Sequence, residues 1–356
     1  MDPQRFGEEF RADMRPLATR AAGSGNASAR RVLSAAELAP LTRLNDARSL
    51  AAVLQTFGVI AAALVFGVWT WGSAWVLLSV LVVGVQQHAL FILAHEAAHY
   101  RLFGHRGAND VLGRLIGMAS GISMCTYRVI HRLHHNNLYS ADDPDTAIHG
   151  GYPRGVVYLW KKLMQDLCGL NAWKTFAYFF GAPALNVQTR QAARPLDDTS
   201  PQLRASARAD RWWVAGFQLL MPCACFAVTG WQGLGQYAVL WLLPMLTVLQ
   251  PILRLRAICE HGAVTDLSSP LTAARTNRTW GGIGNLAGRA LLFPHHVNYH
   301  LEHHLYPAVP HYHLPRLHRL LLDKSALQGA EVRDLQDTLQ IIFAAPETDA
   351  RLAPTR

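Results

Sequence analysis

The sequence predicts an all-α integral membrane protein: four spans paired into two transmembrane helical hairpins, beneath a cytoplasmic helical cap. Three observations predict it. No Asp, Glu, Lys or Arg occurs in the 46 residues from Ser49 to Ala94, and none in the 42 residues from Trp212 to Leu253. All 33 Lys and Arg residues therefore lie outside the two runs. Histidines, 17 in all, gather in tight clusters close after the first run and well after the second.

Each element follows from length and charge. About 20 apolar residues cross a bilayer as a helix, so each run holds two spans and a tight turn. The spans fall at about 50–70, 75–94, 212–230 and 236–253, with turns at Trp71–Ala74 and Trp231–Gly235. Tryptophan at both turns suits the membrane interface, where ring and N–H are each satisfied. A pair of buried helices in a soluble core is the competing reading, but such helices seldom avoid charge for so long. With every cation on one side, the positive-inside rule makes that side cytoplasmic. The net charge of +9 then reads as membrane-surface and orientation charge, not as a nucleic-acid patch. Arginine (29) far outnumbers lysine (4), which fits a GC-rich bacterial genome and a place in the inner membrane.

The remaining segments are less regular. Residues 1–48 mix both charges, lack a signal-peptide core and read as a cytoplasmic N-terminal arm. Between the runs, Val111–Ile122 is too short to span, and "GVVYLWKKLMQDLCGL" and "WKTFAYFFGAPAL" read as interfacial helices. Residues 186–211 read as a polar loop, 49–320 as the membrane domain, and 321–356 as a charged cytoplasmic tail of no clear role. The five cysteines show no C-x-x-C spacing, which excludes a zinc ribbon, a disulfide framework or a fused ferredoxin.

Histidine spacing carries the chemistry. His95 and His99 stand four apart on one helix face, directly after the second span. "HRLHH" sets His131, His134 and His135 at i, i+3 and i+4, and "HLEHH" repeats this with His300, His303 and His304. One zinc takes three or four protein ligands, so eight imidazoles point to a histidine-rich di-metal site. Imidazole suits iron, copper, nickel and zinc alike, so ligand type does not choose the metal.

In this order, and flanking two charge-free runs, H-x-x-x-H, H-x-x-H-H and H-x-x-H-H resemble the boxes of the membrane fatty-acid desaturase family of di-iron enzymes. The resemblance extends to "HHNNLYSADDPD", "RLRAICEHGAV", "RTN" and "NYHLEHHLYPAVPHYHLPRLH", and covers roughly residues 50–320. It implies two iron ions (Fe2+/Fe3+) held by the eight box histidines and a further one just after the last span, the place of His261. The iron ligands are then the catalytic residues, with no separate side-chain acid or base. Ligating imidazoles usually donate their other N–H to a carboxylate or carbonyl; Glu96, Asp142, Asp143, Asp145, Glu260 and Glu302 are placed for this, and Asn298 to reach the metals directly or through water. His88, about 10 Å deeper than His95, reads as bonding a neighbouring helix. His295 and His296 crowd the third box without joining it. His105, His149, His311, His313 and His318 match no box and read as surface or interface residues.

What the resemblance implies about activity is O2-dependent insertion of a cis double bond into a lipid acyl chain, the substrate being an acyl lipid or acyl thioester. Electrons would come from a separate ferredoxin, rubredoxin or cytochrome b5 with its reductase, since the sequence has no His-Pro-Gly-Gly haem motif. Partners are thus substrate, electron donor and membrane lipids, with no nucleic acid. The third box starts with His300 where front-end desaturases have Gln, and the first box is one residue shorter than in stearoyl-CoA-type enzymes. Both features lean toward a bacterial acyl-lipid type. A hydroxylase or carotenoid ketolase on the same scaffold stays open, as does a non-catalytic metal- or haem-binding membrane protein. His95-Glu96-Ala97-Ala98-His99 also matches the zinc-protease signature H-E-x-x-H. An intramembrane protease would need a third ligand, commonly an Asp within a span, and the predicted spans hold no acidic residue.

Overall fold

The computed structural model describes residues 32–346, except 141, 187–189, 191, 198, 268 and 280–281. Most of the expected arm (1–31) and the end of the expected tail (347–356) lie outside the described residues. Among the described residues the fold is helical, with two short two-stranded pairings, Ala184–Leu185 with Ala192–Ala193 and Thr276–Arg278 with Val332–Asp334. Among the described residues, four helices are long and apolar enough to cross a membrane: Asp46–Trp69, Val76–Ala98, Pro201–Thr229 and Trp231–His261.

The first of these starts where Asn45 accepts a hydrogen bond from the Arg48 N–H at 3.1 Å, satisfying a donor the helix leaves orphaned. It ends at Thr70, and Gly72, with φ of 86°, turns the chain into Val76–Ala98. The second helix is the most enclosed of the four, packed against the first, against the last, and against Arg106–Ser120. Small residues permit these approaches, as is usual between helices in lipid. A Cβ on Gly67 would come within 2.6 Å of Leu240, and one on Gly84 within 2.5 Å of Val248.

Two boundaries differ from the sequence expectation. The third long helix begins at Pro201, eleven residues before Trp212, so the polar loop expected to reach 211 ends at Ser200. Ser200 accepts from the Leu203 N–H at 3.1 Å and Pro201 occupies the first turn, two start signals acting together. Asp210 is buried there by accepting from Arg114 and from the Cys125 N–H, both at 2.8 Å. The turn expected over Trp231–Gly235 is instead made at Gly230, whose φ of 63° and ψ of −142° suit only glycine. Gly233 then lies against the Cys225 carbonyl, and the Tyr237 hydroxyl donates to Gln218 at 2.8 Å.

Between the second and third long helices come Arg106–Ser120, Met124–Asn137, the single turn Thr146–His149, Val156–Leu167 and Ala172–Phe179. Val156–Leu167 is amphipathic, burying Leu159 and Leu163 while Val157 and Trp160 stay exposed. Beyond the fourth come the short helix His300–Leu305 and then Leu314–Asp323 and Leu335–Phe343. Residues 321–346 are not a free tail. Val332–Asp334 pairs in parallel with Thr276–Arg278, and Leu335 and Ile342 pack with Ile92, Ile258 and Phe293. Leu33 and Leu41, from the end of the arm, pack with Leu305, Tyr306 and Leu317 around the third histidine cluster.

Candidate metal centre

Four separate stretches of backbone bring imidazoles to one place. His95 and His99 come from the end of Val76–Ala98, where the chain leaves the helix. Met124–Asn137 carries His131, His134 and His135; Ser123 caps it by accepting from the Thr126 N–H at 3.2 Å. Arg128 docks this helix on the first box, donating to Asp110 at 2.6 Å and to the Ala97 carbonyl at 3.3 Å. His261 is the last residue of its long helix, and His300–Leu305 supplies His300, His303 and His304.

These nine histidines form two adjoining groups. His95, His99, His131, His135 and His303 make one, and His134, His261, His300 and His304 the other, with ligand atoms in each group within 4.8 Å of one another. His135 of the first stacks on His304 of the second, centroids 4.1 Å apart. The Nε2 atoms converge: 2.8 Å between His99 and His131, 3.0 Å between His131 and His135, and 3.1 Å between His135 and His303. In the second group, His261 to His300 is 2.8 Å, His134 to His261 3.1 Å, and His300 to His304 3.1 Å.

Such convergence of ligand atoms could hold metal ions. Burial, reinforced by neighbouring imidazoles, pushes His131, His135, His300, His303 and His304 well below the ordinary histidine range, so these rings are neutral. A neutral ring has one N–H, and closely spaced lone pairs repel unless a cation lies among them. Both ring nitrogens of buried His95 lack a hydrogen-bond partner, a costly state unless a metal takes one of them. The outward Nδ1 atoms meet the supports that ligating imidazoles use. His134 Nδ1 lies 3.0 Å from Asp143, and His261 Nδ1 3.2 Å from the Ala273 carbonyl. Burial pushes the His134 imidazole down; the Asp143 and Asp145 carboxylates outweigh it and lift the ring to about 9.

The carboxylates named from the sequence separate by geometry. Glu96 lies 3.4 Å from His95 Nδ1 and accepts from the His311 backbone N–H at 2.9 Å. Glu260 lies 3.7 Å from His300 Nδ1 and 3.4 Å from Arg256. Asp145 lies 3.6 Å from His134 and accepts from the Tyr178 hydroxyl. Asp143 is fully buried, whereas Asp142 is exposed, its backbone N–H bonded to Ser140. Glu302 turns to His318 Nδ1, at 2.5 Å, and to Thr276, not to an imidazole of either group. Asn298 donates to the Asn277 carbonyl at 3.0 Å, and its side-chain oxygen is buried without a partner. His88 is buried and belongs to neither group. Thr56 lies 3.0 Å from His295, and Arg289 lies 3.1 Å from His296.

Three histidines expected at the surface or an interface, His149, His311 and His318, are buried inside the chain. His149 is the notable one. It is 2 % exposed, packs 4.9 Å from His261 and 5.8 Å from His134 between ring centroids, and has no hydrogen-bond partner for either nitrogen, though its Nε2 lies 4.0 Å from Asp143. It closes a third close group with His134 and Asp143. No box spacing marks it; the turn after the Asp-Asp-Pro-Asp stretch carries it inward. Tyr139, likewise unmarked, donates to the His261 carbonyl.

Residues 69–336 match the family model described as fatty acid desaturase. The chain belongs to the fatty acid desaturase family. It is a membrane protein of that family, and the family implies iron and O2. The chain is 28 % identical over 248 residues to dihydrorhizobitoxine desaturase of Bradyrhizobium elkanii, covering 68 % of this chain and 66 % of that one. It is 25 % identical to a chloroplastic omega-3 fatty acid desaturase of Glycine max, covering 74 % and 56 %. It is also 25 % identical to the temperature-sensitive sn-2 acyl-lipid omega-3 desaturase (ferredoxin) of Arabidopsis thaliana, covering 74 % and 59 %. The matches thus span less than two thirds of these curated relatives. Family membership leaves the zinc-protease signature at His95–His99 without a role of its own.

Proposed function

We propose that this protein inserts a cis double bond into the acyl chain of a membrane lipid, using O2 and two electrons at a pair of irons. The observation that carries the reading is the pair of buried, adjoining groups of converging imidazoles in a desaturase-family chain. His95, His99, His131, His135 and His303 would hold one iron, and His134, His261, His300 and His304 the other. When bound, reduced iron supplies the oxidation of an unactivated methylene, a step no side-chain acid or base can perform. The chain's own contribution is to hold the rings. Asp143 and the Ala273 carbonyl fix the Nδ1 sides of His134 and His261, leaving each Nε2 toward the site. Apolar residues of the second long helix, Leu90, Leu93 and Ala94, are buried just below the first box and keep water from the reacting carbons.

The four long helices form two membrane hairpins, with both termini and the histidine cap on the cytoplasmic face of a bacterial inner membrane. The placement of every cation outside the two charge-free runs supports this orientation. Electrons arrive from a separate carrier, a ferredoxin, rubredoxin or cytochrome b5 with reductase; one plant relative is named for ferredoxin. A second substrate reading has one specific support: the Bradyrhizobium relative is named for dihydrorhizobitoxine, not for an acyl lipid. Expression in a host of known lipid profile, followed by mass spectrometry of its lipids, decides. A new double bond that vanishes in His303→Ala supports the reading. Hydroxylated acids or oxidised carotenoids without new unsaturation would refute it, and an unchanged lipid profile points to the small-molecule substrate.

A further inference from the structure

Arg275 is fully buried, and so is the carboxylate it pairs with, Glu331, 2.9 Å away and 56 residues further along the chain. The guanidinium spends its other donors on the end of a single helix. It donates to the Cys259 carbonyl at 3.3 Å, the Gly262 carbonyl at 3.0 Å and the Ala263 carbonyl at 2.8 Å. The last carbonyls of a helix have no partner within it, and this helix ends at His261. His261 is also the one imidazole of the nine outside the three boxes, with no neighbouring ligand on its own helix to hold it.

Glu331 in turn is anchored from several directions. It accepts from the Thr265 N–H at 3.1 Å and from Arg333 at 2.8 Å. Its backbone N–H donates to the Leu271 carbonyl and its carbonyl accepts from the Thr276 N–H, each at 2.9 Å. The Arg275 backbone N–H donates to the Glu260 carbonyl at 2.7 Å. Residues 259–263 and 275–276 are thus held together, and the segment at 331 pins both. Arg275 supplies charge and a fork of donors in one rigid plane, a geometry lysine cannot reproduce.

We propose that Glu331, acting through Arg275, is a positioning residue for His261, so that the C-terminal segment completes the four-histidine group while the five-histidine group forms without it. None of these side-chain hydrogen bonds of Arg275 and Glu331 goes to His95, His99, His131, His135 or His303. The inference rests on the two-iron reading above, and the experiment separates the two. Iron is counted by plasma mass spectrometry on the full-length chain purified in detergent, with Mössbauer spectra of iron-enriched samples. Two irons in the unaltered protein are required by the earlier reading; fewer than two would sink that reading before any variant is made. Glu331→Ala is then expected to fall from two irons toward one, with one of the two Mössbauer components lost. Glu331→Asp is expected to recover part of the loss. Arg275→Lys keeps a cation opposite Glu331 but not the fork of carbonyl contacts, and is expected to lose the same component. The proposal is overturned if Glu331→Ala retains both irons with an unchanged spectrum. It is also overturned if both irons are lost in equal measure, since that reports a general loss of fold.

Discussion

Glu96 accepts a hydrogen bond from the backbone N–H of His311, 215 residues away in the chain, at 2.9 Å. The same carboxylate lies 3.4 Å from Nδ1 of His95. It therefore ties the first histidine cluster to the loop that follows the third, with one oxygen bonded to the His311 N–H and the other beside His95. Glu96→Gln keeps an acceptor for the His311 N–H through its amide oxygen, so activity is expected to stay within about tenfold of the unaltered protein. Glu96→Ala removes the tie and the support of His95, and should cost about 10–100-fold in metal affinity or activity. The product fraction in cellular lipids, read beside iron content, checks both. A zinc protease predicts the opposite order for Gln, which would abolish its general base.

Neighbouring aspartates make a second contrast. Asp143 accepts from His134 at 3.0 Å, from the Asp145 N–H at 3.0 Å and from the Tyr139 N–H at 2.8 Å. Asp142 is exposed. Asp143→Asn must place an amide N–H against one of three donors and leaves His134 with only the more distant Asp145 as a charged neighbour. Iron affinity should drop about 10–100-fold, while Asp142→Asn should leave it unchanged. Equal iron retention in the two variants would contradict the assignment of Asp143 beneath His134.

The eight box imidazoles were legible because i, i+3 and i+4 spacing places side chains on one helix face whatever the rest of the chain does; His261 has no such spacing and was placed only by the family resemblance. The spans were legible because absence of charge over some forty residues has few physical explanations. Supports were harder. "ADDPD" holds three carboxylates, and which one turns inward depends on the positive φ of Tyr139 and the hydrogen bonds around Ser140, not on spacing. Glu302 lies inside a box yet faces Thr276 and His318, since a one-turn helix sends its i+2 residue away from the face shared by i, i+3 and i+4. The Gly230 turn and the Ser200-Pro201 start were written as local signals within stretches read for hydropathy alone. His149 and Glu331 had no signal. Their burial depends on long-range packing, by a turn after the second box and by a strand that pairs across 56 residues.

Close approach of the helices gives a stability prediction. A Cβ on Gly84 would lie 2.5 Å from Val248 Cβ and 3.3 Å from Pro244 Cβ, both near the opposing backbone, whereas a Cβ on Gly58 meets nothing within 4 Å. Gly84→Ala should therefore overpack the interface and cost about 1–3 kcal/mol. Gly58→Ala should be neutral or mildly stabilising, since alanine favours a helix over glycine by about 1 kcal/mol. Thermal unfolding in detergent, followed by the monodisperse fraction, reads both. Val248→Gly, which removes the clashing Cβ, added to Gly84→Ala should restore part of the loss, as expected for residues in contact; strict additivity would show that the two helices do not meet there.

The Arg275–Glu331 pair predicts a pH dependence distinct from that of the histidines. Burial would raise the Glu331 carboxyl, but hydrogen bonds from Arg333 and Thr265 and the Arg275 guanidinium outweigh it and hold the group at about 2, below its ordinary 4.5. A carboxylate depressed in the folded state contributes stability that is fully present above its unfolded value and is lost as pH falls through the folded one. The contribution is thus complete above about 4.5 and disappears toward about 2. In Glu331→Gln the ionised partner of Arg275 is missing at every pH, and breaking one side of a buried pair leaves the other charge uncompensated. The unaltered protein should melt higher than Glu331→Gln at pH 7, and the gap should persist unchanged down to about pH 4.5 and close only below it. With both proteins stripped of iron by chelation before melting, protonation of the nine metal-site histidines affects both alike and cancels from the difference. A gap already closed near pH 6 would mean that histidine protonation, not the Glu331 carboxylate, controls this part of the fold.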